Sequence, residues 1–590
     1  MLIPMRTSLI VTLLLGMILG GCLSPTPTDD SADGGSKKKI ISAEAPKWDL
    51  EDLNASLSQP IFAEGAILAE DHWTESFDGT MLHSRVYRPA ERGEWLSPII
   101  LHVSPYFGPN NAEANVPTGN GMDGWLVSHF IQRGYAIVLN DVRGTGESGG
   151  CLEQTGPKQT QDEYIVIEDL ATQPWANGKV GMIGISYDGE TQQSAAVSAP
   201  PHLTTVIPLA SVAGQYEWNF YDGVPYTING AAGMVSYAAI GIEPNTPTTF
   251  LTGGDPNAPP PTMYAERFDC HPENVKEGAD PRGDFNKFWQ DREIRLHVDK
   301  IQNTSFLHVH GLEDWNVKPN HIRDWYELIP TPKHAWYGQW QHNFPDGNSF
   351  NRDWSRSDWR LTVHRWFDFW LLGLPTGIMD EPAVQIMDSL GRWRFEDMWP
   401  PLHAEAVKLY PDASANLIDV PVRDGSVGYT DNTLPMETRG ESVSFVTEPL
   451  ESDLHYAGSP FFHFTATLNG APVVQGTHFA LHLIDVAPDG SERMINRGYL
   501  SAQHRESLET SKPVPLGQAI EYHLRLFPQD DVIQAGHRIK IQLGAVDNAI
   551  QPEGNNAQVT IQLGGEKTYL ELPVIDDAQA RFFTPIVIET

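Results

Sequence analysis

The sequence predicts an α/β protein: a doubly wound parallel sheet, interrupted by a lid insertion and followed by an all-β sandwich. Three observations predict it. Between Pro98 and Leu209 short apolar runs alternate with helical stretches, the pattern of parallel strands covered on both faces. From Gly214 to about Lys300 the alternation stops in a segment dense in aromatics and carrying the run Pro259-Pro260-Pro261, too long for a simple connection and better suited to a lid over the strand ends. After Leu374-Pro375 the apolar period becomes two, in short strands separated by turns such as Pro488-Asp489-Gly490 and Asp547-Asn548.

At 590 residues the chain exceeds what one core supports. The N-terminus reads as a targeting segment: Arg6 precedes an apolar run, Leu9 to Leu19, too short to span a bilayer comfortably. The following Leu19-Gly20-Gly21-Cys22 resembles the lipobox of prokaryotic lipoproteins, with a plain signal peptide as the alternative. The expected organisation is a signal peptide over 1–21, lipidated Cys22 and a Pro/Gly/Ser-rich tether over 22–58, and the α/β domain over 59–213 and 301–375. The lid occupies 214–300 and the sandwich 376–590. The net charge of −36 is spread without a long acidic run. It favours solubility and argues against nucleic acid as a partner, because such a surface repels phosphates. Cys151 and Cys270 are the only cysteines after Cys22. Two thiols cannot complete a tetrahedral metal shell, so in an exported chain they suit a disulfide between a loop near the site and the lid.

In order, Trp73 to Pro89 alternates around Asp78-Gly79, a hairpin signal. Pro98 to Val103 is a buried strand, Trp125 to Ile131 a helix closed by Gly134, and Tyr135 to Asn140 the next strand. The glycine-rich run Asp141 to Gly150 is neither a P-loop, for no Gly-Lys-Ser/Thr follows, nor a dinucleotide turn, for no helix opens at once. A helix from about Gln161 to Thr172 leads to the stretch Lys179 to Gly189. After the strand Leu203 to Leu209 and the lid, the sheet resumes at Ser305 to His310. The helix Asn320 to Leu328, the strand His334 to Gly338 and an amphipathic helix near Trp359 to Leu372 follow.

Chemistry concentrates in Gly184-Ile185-Ser186-Tyr187-Asp188-Gly189, where a buried strand breaks at a serine between glycines and a helix follows. Such a turn lifts the hydroxyl above the sheet edge, and the glycines are needed because strand and helix approach closely. Ser186 is thus a nucleophile candidate, an ordinary helix cap being the alternative. A serine needs a histidine base and a carboxylate that orients it, supplied in a sheet of this kind by later loops in the order serine, acid, histidine. Asp314 and His342 stand on two such loops; Glu313 is an alternative acid, and His334, inside a strand, a weaker base. His308 and His310 face the same way on one strand, but no third metal ligand lies nearby, so neither metal nor cofactor is expected. For the oxyanion, the backbone N–H of Tyr187 and the phenol of Tyr106 are the candidate donors.

These motifs, with Pro105-Tyr106, Asp141 to Ser148, Pro174 to Gly181 and Ala535-Gly536-His537-Arg538-Ile539, resemble the family of Xaa-Pro dipeptidyl-peptidases and cocaine-esterase-like hydrolases. His310 to Pro319 and Gly338-Gln339-Trp340-Gln341-His342 look most like its peptidase branch. The resemblance implies an α/β-hydrolase fold with a helical lid and a C-terminal jelly roll. It also implies Ser186 as nucleophile, Asp314 as acid, His342 as base, and Tyr187 and Tyr106 as oxyanion donors. The large N-terminal helical domain of some bacterial members is missing. The expected function is an exported serine exopeptidase releasing Xaa-Pro dipeptides. An ester hydrolase or amide acylase is second, and a non-catalytic surface binding protein third. Trp218 and Tyr221 are expected to line a pocket for a small rigid group, with Glu217 or Asp222 clamping the substrate ammonium. The expected partners are a peptide or small ester or amide substrate and a membrane reached only through the lipid on Cys22. Homo-oligomerisation is left open.

Overall fold

The computed structural model describes residues 48–107, 116–119, 121–226, 274, 276–277, 282–347, 355–431, 440–470, 476–550 and 555–588. Its centre is a sheet of eleven strands. In chain order these are β1 (Ile67–Glu75), β2 (Met81–Pro89), β3 (Ser97–Ser104), β4 (Ala136–Asp141), β5 (Ala176–Ile185), β6 (Leu203–Leu209), β7 (Ser305–Gly311), β8 (Lys333–Gly338), β9 (Val384–Met387), β10 (Trp393–Glu396) and β11 (Arg581–Phe583). Across the sheet the order is β1-β2-β4-β3-β5-β6-β7-β8-β9-β10-β11. Every pair from β4 to β9 is parallel. The hairpin at one edge and β10 and β11 at the other are antiparallel.

The interior strands read as unbroken apolar runs because both faces are covered. Ile99, Leu101, Val138, Met182 and Val206 pack on one face with Val166, Ile167, Leu170, Ala195 and Trp325. These belong to the helices Pro157–Ala171, Tyr187–Ser198 and Asn320–Tyr326. Their neighbours Ile100, Ile137, Ile183 and Ile207 pack on the other face with Leu126, Phe130, Val363 and Trp366, from the helices Met122–Phe130 and Trp359–Phe367. The expected hairpin turns at Gly79, whose φ of +82° suits a residue without a β-carbon. The glycine-rich run after β4 is a structural clamp: Arg143 donates to Asp162 at 2.6 and 2.9 Å and to Asp78 at 3.0 Å. A β-carbon on Gly146 would overlap the Asp141 carboxylate.

The insertion begins with the short helix Gln215–Asn219 and a hairpin of Phe220–Tyr221 with Val224–Pro225. It ends with Lys287–Gln290 and Ile294–Lys300; most of what lies between is outside the described residues. Beyond it, a nine-stranded and a four-stranded sheet form the sandwich, with Phe462, Phe464, Ala466 and Leu468 facing Phe479, Leu481, Ile539 and Ile541 across its core.

Strands beyond residue 376 join both parts of the chain. β9 and β10 extend the catalytic sheet, and β11 returns from the far end of the sandwich to finish it. All four residues of β9 are buried, so it is an interior strand between β8 and β10. A change of apolar period does not say which sheet the next short strand joins: β9, beyond it, still pairs parallel with β8. The seam is locked by Arg394, which grips Asp530 with two bonds of 2.6 and 2.5 Å. Asp530 also meets His455 at 2.9 Å and Trp399 Nε1 at 3.2 Å. Burial pushes the Asp530 carboxyl up, but the Arg394 guanidinium overrides it and holds the group well below the usual carboxylate range.

The helix Tyr187–Ser198 is buried from its first residue to Val197, polar side chains included. Burial lifts the Glu190 carboxyl from 4.5 to about 8, against the hydrogen bonds from Thr155 and Gln215. The folded protein therefore holds a proton that the unfolded chain sheds above pH 4.5, and stability falls with rising pH until about 8. Glu190→Gln is expected to flatten this slope and stabilise the protein by a few kcal/mol at pH 8, at roughly 1.4 kcal/mol per pH unit removed. Denaturant midpoints from about pH 5 to 8 check it; equal slopes for both proteins would refute it.

Candidate active site

β5 ends at Ile185, and the chain turns at Ser186 with φ 65° and ψ −125°, a conformation that costs a non-glycine residue roughly 1–3 kcal/mol. The surroundings hold it there. The Ser186 N–H donates to Leu209 O at 2.9 Å, and its carbonyl accepts from the N–H groups of Gly189 and Glu190 at 2.9 and 3.0 Å. The flanking glycines are steric requirements. A β-carbon on Gly184 would lie 2.6 Å from Asp188 Cβ, and one on Gly189 would lie 2.8 Å from Leu209 O.

Beneath this turn His102, from the middle of β3, bridges Asp188 at 2.8 Å and Asp123 at 2.8 Å. Burial disfavours its charge, but the two carboxylates outweigh that and push it up to about 10. It is thus an imidazolium that ties the first turn of the nucleophile helix to the sheet. Sequence reasoning passed over His102, although a lone ionisable side chain inside the apolar run Ile99 to Val103 was a legible signal.

Asp314 leaves the end of β7 and His342 the end of β8, and Asp314 Oδ2 meets His342 Nδ1 at 2.6 Å. The other Asp314 oxygen accepts from the N–H groups of Asn316 and Val317, both at 2.9 Å. Both oxygens are thus occupied, and the side chain is wholly buried. His342 then carries its proton on Nδ1 and presents Nε2 as a base. Burial pulls the imidazole down, but the charge and hydrogen bond of Asp314 prevail and raise it above 6.5.

The two loops are bonded together, Leu312 N to Gly338 O at 2.7 Å and Glu313 N to Trp340 O at 3.1 Å. A β-carbon on Gly311 would come within 2.0 Å of Trp340 O, which explains the glycine at that strand end. In register, Ile185 pairs with Leu209, Leu209 with Val309, and Gly311 with Gly338. Ser186, Asp314 and His342 therefore leave the same carboxyl edge of neighbouring strands. Among the described residues no hydrogen bond joins Ser186 to His342; such contacts commonly tighten when substrate binds.

Asp314, not Glu313, bonds the histidine. His334 is buried in β8 against Trp366, 5.8 Å between ring centres, and burial pulls it down to about 4. His308 bonds Tyr337 Oη at 3.0 Å and His310 bonds Val317 O at 2.9 Å. No group of three His, Cys, Asp or Glu able to hold a metal occurs among the described residues. Tyr187 is the first residue of the nucleophile helix, where N–H groups point out of the helix end; its phenol donates to Gln159 at 2.7 Å. Tyr106, in the loop after β3, meets the Tyr187 ring edge to face at 6.3 Å.

The four expected pocket residues separate. Glu217 accepts from Asn320 Nδ2 at 2.6 Å and lies 3.8 Å from Arg295, while Trp218 packs with Val212 and with Val317 of the acid loop. Tyr221 is instead taken up by the sandwich: it donates to Arg525 O at 2.8 Å and packs against Tyr499 and Phe527. The carbonyl of Asp222 accepts from Ser501 N at 3.0 Å. Aromatic content marked the lid, but the sequence could not show which rings face the sandwich. Lys318, which sequence reasoning did not single out, is buried beside Glu217 and Asp314; burial pulls its amine down to about 7, and it donates to Trp218 O at 2.9 Å. Cys151 takes part in a disulfide; Cys22 and Cys270 lie outside the described residues.

Residues 78–343 match the family model of the X-Pro dipeptidyl-peptidase (S15 family). Residues 376–570 match that of the X-Pro dipeptidyl-peptidase C-terminal non-catalytic domain. A relative from Streptomyces avermitilis named as an Xaa-Pro dipeptidyl-peptidase is 25% identical, over 89% of this chain and 86% of its own. The crystal structure of an aminopeptidase from a marine sediment Thaumarchaeota archaeon superposes with a TM-score of 0.67 at 21% identity, covering 92% of this chain and 99% of that one. A CocE/NonD family hydrolase from Staphylococcus aureus gives 0.68 at 18% identity, covering 88% and 98%. These two likenesses establish the fold. The catalytic and C-terminal models follow one another over most of the sequence, and the chain belongs to the S15 family of X-Pro dipeptidyl-peptidase serine hydrolases, in a fold shared with CocE/NonD hydrolases.

Proposed function

We propose that this protein releases N-terminal Xaa-Pro dipeptides from peptides through an acyl-enzyme on Ser186. The observation that carries the reading is the buried Asp314–His342 bond at 2.6 Å, on the strand ends beside the strained Ser186 turn. His342 Nε2 takes the Ser186 Oγ proton as the oxygen attacks the prolyl carbonyl carbon. The developing oxyanion is held by the Tyr187 N–H and the Tyr106 phenol, donors of a kind worth about 10²–10³ in rate. Collapse breaks the peptide bond, and the leaving amine takes its proton from His342. A water activated by the same histidine then releases the dipeptide and restores Ser186.

Preference for a free amino terminus needs a carboxylate near the pocket, because a small apolar site discriminates only modestly. Glu217 fits this role better than Asp222. It is nearly buried beside Trp218 and the acid loop, and Arg295 sits closer to Glu293, at 2.5 Å, than to Glu217. Ester or amide-acyl hydrolysis is the second reading, supported by the shared CocE/NonD fold.

Four results are expected. Ser186→Ala abolishes covalent labelling by a fluorophosphonate with the fold intact, and Asp314→Asn lowers turnover by on the order of 10⁴ while Glu313→Gln leaves it nearly unchanged. Label retained in the alanine variant, or the reverse order for the two acids, would refute these assignments. Acetylating the amino group of Ala-Pro-p-nitroanilide is expected to cut turnover steeply in parallel assays with p-nitrophenyl butyrate. Equal turnover of free and acetylated substrates removes the clamp and favours the esterase. Lipid attachment at Cys22 belongs to the same proposal: Cys22→Ser is expected to move the protein from the membrane fraction to the soluble one, and unchanged fractionation would count against an anchor.

A further inference from the structure

The acid and base loops are each gripped by the sandwich, at two adjacent residues of one strand. That strand, Gln529–Ile533, pairs with Leu454–Gly458 inside the C-terminal domain. Gln529 Nε2 donates to the carbonyl of Leu312 at 2.5 Å, two residues before Asp314. The Leu312 N–H already donates to Gly338 O at 2.7 Å, so both backbone polar groups of this residue are fixed. On the other loop Gln339, the first residue after β8, donates from Nε2 to the carbonyl of Asp530 at 2.8 Å and to Met387 O at 3.3 Å. All of these side-chain bonds are buried.

The anchor itself is multiply bonded. The Asp530 carboxylate is held by both Arg394 nitrogens, His455 and Trp399. A little upstream, Phe527 packs on Trp315 of the acid loop at 5.7 Å between ring centres. Arg497, from a neighbouring sandwich strand, caps the same indole at 4.4 Å. Besides the seam at Arg394 and the lid contacts of Tyr221 and Asp222, the interface takes in the loops that carry Asp314 and His342.

We propose that Gln529 and Gln339 are positioning residues, through which the sandwich sets the relative placement of Asp314 and His342. The matched model names this domain non-catalytic. Its contribution is geometric: a bond of 2.6 Å between side chains on two separate loops persists only if both loops are fixed to a fraction of an ångström. Displacement by about 1 Å costs on the order of a hundredfold in rate. The proposal rests on the catalytic reading of Asp314 and His342.

The test uses the full-length enzyme and the variants Gln529→Ala and Gln339→Ala, with Gln542→Ala as control. Gln542 donates to Ser442 at 2.8 Å on the exposed side of the sandwich, far in the chain from either loop. Each of the first two variants is expected to lower kcat by on the order of ten- to a hundredfold with KM changed by less than about threefold. Because Asp314 raises the His342 pKa, loosening their contact lets it fall. The acid limb of the kcat/KM profile should therefore move to lower pH, which a general loss of stability would not produce. Gln542→Ala should match the parent in both respects. Gln339→Ala decides the matter should Gln529→Ala not fold. A kcat within about twofold of the parent, or a fall in kcat with an unmoved acid limb, overturns the proposal. Fluorophosphonate labelling of Ser186→Ala reads the catalytic assignment separately, so its failure and that of the brace are told apart.

Discussion

The close approach of β5 to the helix Tyr187–Ser198 is the constraint on which the rest depends. Gly184 and Gly189 permit it, because a β-carbon at either would collide with the opposite backbone or its first side-chain atoms. Ser186, at the point of contact, is held at a positive φ of 65°. The strain is offset by burial of the whole helix and by the His102 imidazolium gripping Asp188 from below. A nucleophile fixed this firmly leaves the acid and base to be brought to it, which makes the stiffness of their loops a condition of the chemistry.

In a chain with 76 acidic and 40 basic lysine and arginine side chains, histidines join the arginines as partners of carboxylates. His83 bridges Asp71 and Asp141, His102 bridges Asp123 and Asp188, and His455 bridges Asp530 and Asp577. In each case the flanking carboxylates outweigh burial and raise the imidazole pKa. His342 differs in one respect: it has a single carboxylate, and its second nitrogen bonds no acid among the described residues. Two carboxylates favour the cation; one carboxylate and an open nitrogen make a base that can accept and return a proton.

Much of this was legible in the sequence. The unbroken apolar runs of β3 and β6, the break at Ser186 and the positions of Asp314 and His342 after successive strands are local signals, and the structure places each at the expected strand end. What was not legible depends on contacts between distant residues. The seam assignment of Tyr221, the return of β11 to the catalytic sheet and the grip of Gln529 on Leu312 each pair residues hundreds of positions apart. An aromatic or a glutamine carries no local mark of which surface it will meet. Neither does a four-residue apolar run such as β9, which fits either domain until its neighbours are known.

The course of β11 bears on how the enzyme is made. Phe583 stacks on Phe395 of β10 at 4.0 Å and meets Trp48 edge-on at 5.7 Å, so residues from opposite ends of the described chain close one edge of the catalytic sheet. On the ribosome, domains ordinarily fold in the order they emerge. This sheet cannot, because its last strand emerges after the entire sandwich. Until residues 529 and 530 emerge the loops of Asp314 and His342 lack their grip, and until residues 581–583 emerge the sheet lacks its last strand.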